Sequence, residues 1–507
     1  MERYRQRAFV AAAAALTLSA CGSTVQLHGE ATAGGPSDGL GPAVSSTTTS
    51  TDQGSSAPKE TGSGSTSLTG SAGGTAGSLS GAPASGPATA PPVTISKHGL
   101  TATSISIGIL TADGFDKAAS ALGISAGVGS SHAEAAAVVD YLNAHGGIAG
   151  RKIIPVYYDV NVANAEANPA AEMQNACTAM TQDHHVFAVA TAVGLGSDTF
   201  YKCLSRAGVL SSQAGETFGA TFFQQFANYF YMPVEMNATR VMSDDIDALF
   251  GAGFFGGWNP TAGAAAPGPV KVGLMRIDDS FDEKVRDEGV KPALARHGLV
   301  LADEFATGTN ASQMNSQFQA AVLKFAAEGI THVLFTPAST PLYFMLSANN
   351  QNYRPRYGLN SRASPGALLQ TSVSASQLHG SMGLGWQQYN DVDAAHDPGP
   401  PSPRAKLCLQ LMQQAGQNTS ARATALVGLW YCDTLFFVRD ALAKAPSVTV
   451  AGFRAGAESL SSYEAASTFR SSFAPGRLHD GARAYRLFSY IDSCSCYEYT
   501  TPLRTAP

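Results

Sequence analysis

From about Thr103 to Tyr499 short apolar runs alternate with stretches whose apolar residues recur at helical spacing. Ser104–Leu110 alternates polar and apolar residues in its first half, which predicts a first strand. Ser131–Ala144 follows with Ala135, Val138, Val139 and Leu142 on one helical face. Lys152–Tyr158 predicts a second strand, Ala171–Thr181 a helix, Val186–Ala192 a third strand, Asp198–Ala207 a helix and Val209–Ser211 a fourth strand. The pattern then restarts. Arg240–Phe250 reads as a helix, and Val270–Met275 and His332–Phe335 read as strands beside helices at Asp282–His297 and Ala311–Glu328. Two successive βαβ series predict an α/β protein with two parallel-sheet lobes. Ligands of such sheets bind beyond the carboxyl ends of the strands, and two lobes can face those ends across a cleft.

The pattern is different before residue 103. Arg3, Arg5 and Arg7 precede an apolar run from Ala8 to Ala20, too short to span a bilayer comfortably. Leu18-Ser19-Ala20-Cys21 then resembles a bacterial lipobox, so residues 1–21 read as a lipoprotein signal peptide with Cys21 as the lipidation site. From residue 22 to 102 the composition turns to Gly, Ser, Thr, Ala and Pro, and no Phe, Tyr or Trp occurs between Phe9 and Phe115. Such a segment buries too little apolar surface to offset its ordering entropy and is expected to act as a disordered tether. As a flexible coil its root-mean-square span is roughly 45–50 Å.

Composition narrows the function. The 507 residues exceed what one hydrophobic core fills, in keeping with two lobes. Lys and Arg total 32 against 38 Asp and Glu, a net charge of −6 that becomes −8 once residues 1–20 are removed. With no Lys/Arg cluster, this acidity excludes nucleic acid as the default partner and gives no electrostatic attraction to an anionic membrane, so membrane attachment falls to the lipid anchor. Two enzyme-like strings fail on context. Gly123-Ile-Ser-Ala-Gly127 matches G-x-S-x-G without a strand-to-helix elbow, and Gly251-Ala-Gly-Phe-Phe-Gly256 matches G-x-G-x-x-G after a helix. His184 and His185 read as surface residues, and no enzyme activity, cofactor or metal is expected.

One string carries a resemblance. Tyr141-Leu-Asn-Ala-His-Gly-Gly-Ile-Ala-Gly-Arg151, followed by Ile153–Asp159, resembles the helix–turn–strand signature of type I periplasmic binding proteins, in their leucine/isoleucine/valine-binding group. The glycines suit a helix end and a tight entry into the next strand. The resemblance runs over roughly residues 103–390 and loosens from 400 onward. It implies two Rossmann-like parallel-sheet lobes joined by a three-strand hinge. The first lobe would comprise residues 103–236 plus about 385–468, the second 237–384 plus about 469–502, with crossovers near Met232–Asn237, Gly380–Gln387 and Arg470–Phe488.

The same resemblance implies a site. The loop after strand three would offer Gly194, Gly196 and Ser197, and the loop after strand four Gln213, Ala214, Gly215 and Glu216. Asp113 and Phe115 would lie on the first-lobe rim. The second lobe would contribute Ser280 and Phe281, then Pro337, Ser339 and Thr340, then Arg362 for an anionic solute. Trp386 would stand at the second crossover, lining the pocket or buried in the hinge. At the first crossover Asn237 occupies the place where amino-acid binders set an Asp for the substrate ammonium, which puts an amino-acid ligand in question. Glu235 and Glu216 are the carboxylates near enough to compensate.

Six cysteines besides Cys21 suggest disulfides whose connectivity the sequence leaves open. The resemblance implies Cys177–Cys203 across strand three. Cys408–Cys432 would then pin two neighbouring helices, leaving Cys494–Cys496 to close a very small ring expected to be strained and reducible. The rival reading of Cys494-Ser495-Cys496 is a metal site with His479. The reading as a whole is a monomeric, lipid-anchored, extracytoplasmic solute-binding protein that hands a small polar solute to an ABC-transporter permease. The alternative is a sensing or partner-docking lipoprotein in which the cleft is filled. The Gly251–Pro269 insertion would be a cover packed on its lobe or a docking loop.

Overall fold

Strand β1 (Ser104–Thr111) is flanked on both sides, which is why the polar alternation of its first half gives way to continuous burial in the second. The computed structural model describes residues 98–114, 129–193, 198–308, 311–339, 341–397 and 399–506. The signal, Cys21, the tether as far as residue 97, Phe115, the Gly123–Gly127 string, Gly194, Gly196, Ser197 and Thr340 lie outside them, whereas the last tether residues, 98–102, are held in place by a Leu100–Ile105 bridge.

The first sheet has the order β2-β1-β3-β4-β5, all parallel, with β2 at Lys152–Asp159, β3 at Ala188–Thr191, β4 at Leu210–Gln213 and β5 at Phe230–Tyr231. Helix α1 (Ser131–Ala144) begins where the Ser130 hydroxyl accepts from the Ala133 N–H, and it buries Ala135, Val138, Val139 and Leu142. It ends at Gly146 and Gly147, both at positive φ, where the Gly147 N–H reaches back to the Leu142 carbonyl at 2.8 Å. A side chain at Gly147 would also collide with the Arg151 carbonyl.

The second sheet is mixed. In chain order its strands are β6 (Val272–Ile277), β7 (Leu301–Thr307), β8 (His332–Phe335), β9 (Arg356–Asn360), β10 (Met382–Gly385), β11 (Ala484–Ile491) and β12 (Cys496–Tyr499), and they lie side by side as β12-β11-β10-β9-β8-β6-β7. The pairs from β7 to β10 are parallel, and β11 and β12 add an antiparallel hairpin at the edge. Strand β7 escapes the sequence pattern because Asp303 and Glu304 sit in its middle, as befits a charged edge strand.

Three segments pass between the sheets. Met232–Asn237 leads from β5 to helix α2 (Ala238–Gly251), which packs on β9 and β10. After β10 the chain returns past Trp386 to helix Pro403–Gln414 and then helix α3 (Arg422–Lys444), which packs on α1 and β3. The stretch after helix Val450–Glu458 feeds β11. The crossings bond to one another: Met232 N–H to the His479 carbonyl at 2.8 Å, Ala482 N–H to the Glu235 carbonyl at 3.0 Å, and the Thr468 hydroxyl to the Trp386 carbonyl at 2.6 Å.

Helix α3 is the axis of the first lobe. Eighteen of its 23 residues are buried, and the Tyr431 hydroxyl donates to the Leu110 carbonyl of β1 at 2.7 Å. The insertion after α2 is a cover. Phe254 and Trp258 are buried, the Trp258 indole N–H donates to the Arg354 carbonyl at 2.8 Å, and the Arg356 guanidinium lies 4.9 Å from the Phe254 ring centre. Its glycine string closes α2, with Gly253 at positive φ. Disulfides join Cys177 to Cys203, Cys408 to Cys432 and Cys494 to Cys496, with Cα separations of 6.2, 6.1 and 5.2 Å. The first two tie helices together, and the third closes the β11–β12 turn.

Candidate functional site

The two sheets direct β4, β9 and the first two crossovers to a common centre, and the groups that meet there are polar and fully buried. The turn after β4 depends on Gly215, whose φ of +88° suits only glycine comfortably. A side chain there would press on the Trp430 ring and the Ala192 carbonyl. The Gly215 N–H donates to Glu235 Oε1 at 3.3 Å, and its carbonyl accepts from Arg362 Nη2.

Glu235 is the hub. Its Oε1 also accepts from Gln387 Nε2 at 2.7 Å and Arg362 Nη1 at 3.4 Å, while Oε2 accepts from the Trp386 indole N–H at 3.3 Å. Burial pushes this carboxyl above its ordinary value, opposed by the Arg362 charge and by the hydrogen bonds from Gln387, Gly215 and Trp386. Arg362 is fixed at its backbone, where the Asn360 side chain accepts from its N–H at 3.0 Å, and its guanidinium lies 5.6 Å from the Trp430 ring centre. Network and rings together link the first lobe, the hinge and the second lobe.

Two donors in this centre remain unused among the described residues. Arg362 Nε and Trp430 Nε1 are buried and have no acceptor there. Gln213 Oε1, at the end of β4, and Ser339 Oγ, in the turn after β8, are likewise buried without a partner. A buried donor left unsatisfied costs on the order of 1–3 kcal/mol, so such atoms call for an explanation.

Other expected site residues are occupied by structural tasks. Asn237 caps α2: its Oδ1 accepts from the Arg240 N–H at 2.9 Å and its Nδ2 donates to Asp480 at 2.8 Å. Asp480 also pairs with Arg240 at 2.7 Å and Arg483 at 3.1 Å. Burial would raise its carboxyl, but those two cations hold it below its ordinary value. The charge at this crossover is therefore supplied by Asp480, and the Asn237 amide serves it. Trp386 is a fully buried hinge residue whose indole N–H is spent on Glu235.

Asp113 is pinned to the start of α1 by Ser131, Ser130 and the His132 N–H at 2.7, 2.8 and 3.1 Å. Partial burial would raise its carboxyl, and these bonds hold it below its ordinary value. Ser280 is exposed at the first turn of its helix, which Asp279 caps. Phe281 packs its ring on first-lobe Phe218 and Phe222, with centroids 6.2 and 5.8 Å away. Ala214 and Pro337 are buried beside their turns, and Glu216 accepts from the Tyr201 hydroxyl at 3.5 Å. His479, the expected metal partner, stacks on Tyr231 with ring centres 4.2 Å apart and is held in the hinge. His184 and His185 are exposed.

Neither a family model nor a curated protein matches the sequence. Solved structures do. A type 1 periplasmic binding protein from Bordetella pertussis Tohama I matches 80% of this chain and 100% of its own at 12% identity, with a TM-score of 0.54. The chain has the type I periplasmic binding protein fold. The branched-chain amino acid transporter substrate binding protein LivJ of Streptococcus pneumoniae, solved with isoleucine, shares the fold at 15% identity and a TM-score of 0.52, covering 79% of this chain and all of its own. A fatty acid ABC transporter substrate-binding protein from Thermomonospora curvata shares it at 14% identity and 0.54, covering 80% and 94%. These neighbours are binding proteins and not enzymes. One periplasmic-binding-protein fold thus serves an amino acid and a fatty acid, so the ligand must be argued from the centre just described. Trp430 was missing from the expected set because it arrives on α3, far along the chain. The signal available was an indole N–H that needs an acceptor when buried.

Proposed function

We propose that this chain is a lipid-anchored, extracytoplasmic solute-binding protein that takes a small polar solute between its lobes and delivers it to an ABC-transporter permease, working as a monomer. The observation that carries the reading is the pair of buried, unused donors, Arg362 Nε and Trp430 Nε1, in the interlobe centre of a solute-binding fold. They suit a solute with an acceptor such as a carboxylate or amide oxygen, which would favour the closed state by contacts the open state lacks. Among the described residues no helix is long and apolar enough to cross a membrane, and in this reading attachment rests on the lipobox cysteine Cys21.

A thermal-shift screen of the purified protein against amino acids, amides, ureas, small carboxylates, fatty acids and sugars tests the reading. A selective ligand at a hundred-fold excess over its dissociation constant adds about 2.7 kcal/mol of apparent stability. That gain should disappear in Arg362→Met. A flat screen, repeated after unfolding and refolding to strip any carried ligand, overturns it.

The closed seam favours a second reading. Arg362 already meets the Gly215 carbonyl, and Phe281 already meets Phe218 and Phe222. A protein whose lobes are locked by its own side chains would serve as a partner-docking surface lipoprotein, and it would give the flat screen.

A further inference from the structure

Away from the hinge, the β11–β12 turn holds a cluster that the solute site does not use. His396, Cys494, Cys496 and Glu498 each offer a ligand atom, and these atoms all lie within 4.8 Å of one another. They come from two separate segments: the single helical turn Ala394–His396 and the edge hairpin. We propose that opening the Cys494–Cys496 disulfide creates a four-ligand site for a thiophilic divalent cation, with Zn²⁺ the best fit.

Three observations support the site. The His396 ring is held by Asp393, which binds its Nδ1 at 2.7 Å, so Nε2 is the nitrogen that would coordinate. A carboxylate behind a histidine ring is the usual arrangement for fixing its tautomer and orientation toward a metal. Glu498 Oε1 already lies 3.8 Å from Cys496 Sγ. Access also differs among the three disulfides. Cys408 and Cys432 are both buried and half-buried Cys203 pairs with buried Cys177, whereas exposed Cys494 pairs with buried Cys496, so a reductant reaches this bridge first, through Cys494.

The chemistry balances with a small-molecule thiol as reductant. One thiol breaks the S–S bond to give a free cysteine and a mixed disulfide on the other, a second thiol attacks the small-thiol sulfur of that mixed disulfide, and the two small thiols leave as their own disulfide with both cysteines reduced. The cation then displaces one proton from each cysteine thiol and is held by two thiolates, a neutral imidazole and a carboxylate. Sulfur ligands at about 2.3 Å in a tetrahedron stand about 3.8 Å apart, a modest opening for two side chains on one turn. A donor set of two sulfurs, one nitrogen and one oxygen suits Zn²⁺ better than the hard cations that prefer oxygen alone.

Co²⁺ serves as the spectroscopic probe on the purified full chain. After mild reduction by dithiothreitol and anaerobic removal of the reductant, one equivalent of Co²⁺ should give thiolate-to-metal absorption in the near ultraviolet and tetrahedral bands in the visible. The oxidised protein and the Cys494→Ser/Cys496→Ser variant treated alike should give neither. His396→Ala and Glu498→Gln should weaken binding about ten-fold or more, and Asp393→Asn should follow in the same direction. Zn²⁺ should also protect Cys494 and Cys496 of the reduced wild type from alkylation, read by mass spectrometry, which needs no variant to fold. Absence of absorption in the reduced wild type, equal absorption in the double serine variant, or alkylation of both cysteines unaffected by Zn²⁺ would each overturn the proposal.

Discussion

Around Phe437 the first lobe is packed from rings: Phe473, Phe453, Tyr463 and Tyr231 surround it with centroids 4.5 to 5.8 Å away. Around Glu235 burial is as complete, but a carboxylate, a guanidinium, two indoles and an amide do the packing. In the ring cluster each contact is weak and non-directional, and the loss of one side chain is felt as a cavity. At the seam between the lobes each group depends on a named partner, and the loss of one leaves a charge stranded. The lobes are therefore bodies held by shape, joined by a contact held by pairing. A joint of the second kind can exchange one partner for another, which is what a solute-gated closure requires.

The comparison can be broken at either end. Phe437→Ala should cost about 3–5 kcal/mol, read by urea denaturation, and no second substitution at the seam should restore it. Arg362→Met should cost about 3 kcal/mol by stranding Glu235, and adding Glu235→Gln should recover part of the loss. A double-mutant cycle without coupling would mean that this pair does not hold the seam.

The smallest effect is a pH dependence. Burial lifts the Asp391 carboxyl to about 8, against hydrogen bonds from Ser361, Tyr499 and the Gln387 backbone and the charge of Arg422. Its ordinary value is 3.8, so between the two the native state keeps a proton that the unfolded chain has released. Stability must then fall as pH rises through that window, by about 1.4 kcal/mol per pH unit at most. Asp282, lifted to about 7 by burial, acts in the same sense below pH 7. His332 and His479, depressed by burial to about 4, act in the opposite sense, but only below their ordinary value of 6.5. From pH 6.5 to 8 the melting temperature should therefore drop, and Asp391→Asn should flatten that slope.

Much of this architecture is legible in the sequence. The residues of α1 show their period plainly, β8 stands out as a short apolar run, and Gly146-Gly147 marks the turn. Helix α3 is harder to read because burial on nearly every side leaves no polar stripe to set its period. At the site, counting strand ends places Gly215 and Arg362. The tasks of Asn237 and Trp386 are not legible, because they depend on partners far along the chain. Asn237 answers to Asp480, 243 residues later, and the Trp386 indole answers to Glu235, 151 residues earlier. Spacing within a motif carries no information about such pairs.

Helix α3 also sets the order in which the protein can assemble. The first sheet is laid down by residue 231, yet the helix that covers it begins at Arg422, and the Tyr431–Leu110 bond closes a loop of 321 residues. Bringing such distant segments together is slow, because their entropy is lost before any contact rewards it. A chain emerging amino end first would present the side of β3 and β4 that α3 covers while the whole second lobe is still to come. The first lobe therefore stays unfinished while most of the second is made, and until α3 arrives the open side of its sheet is the surface a chaperone would have to shield.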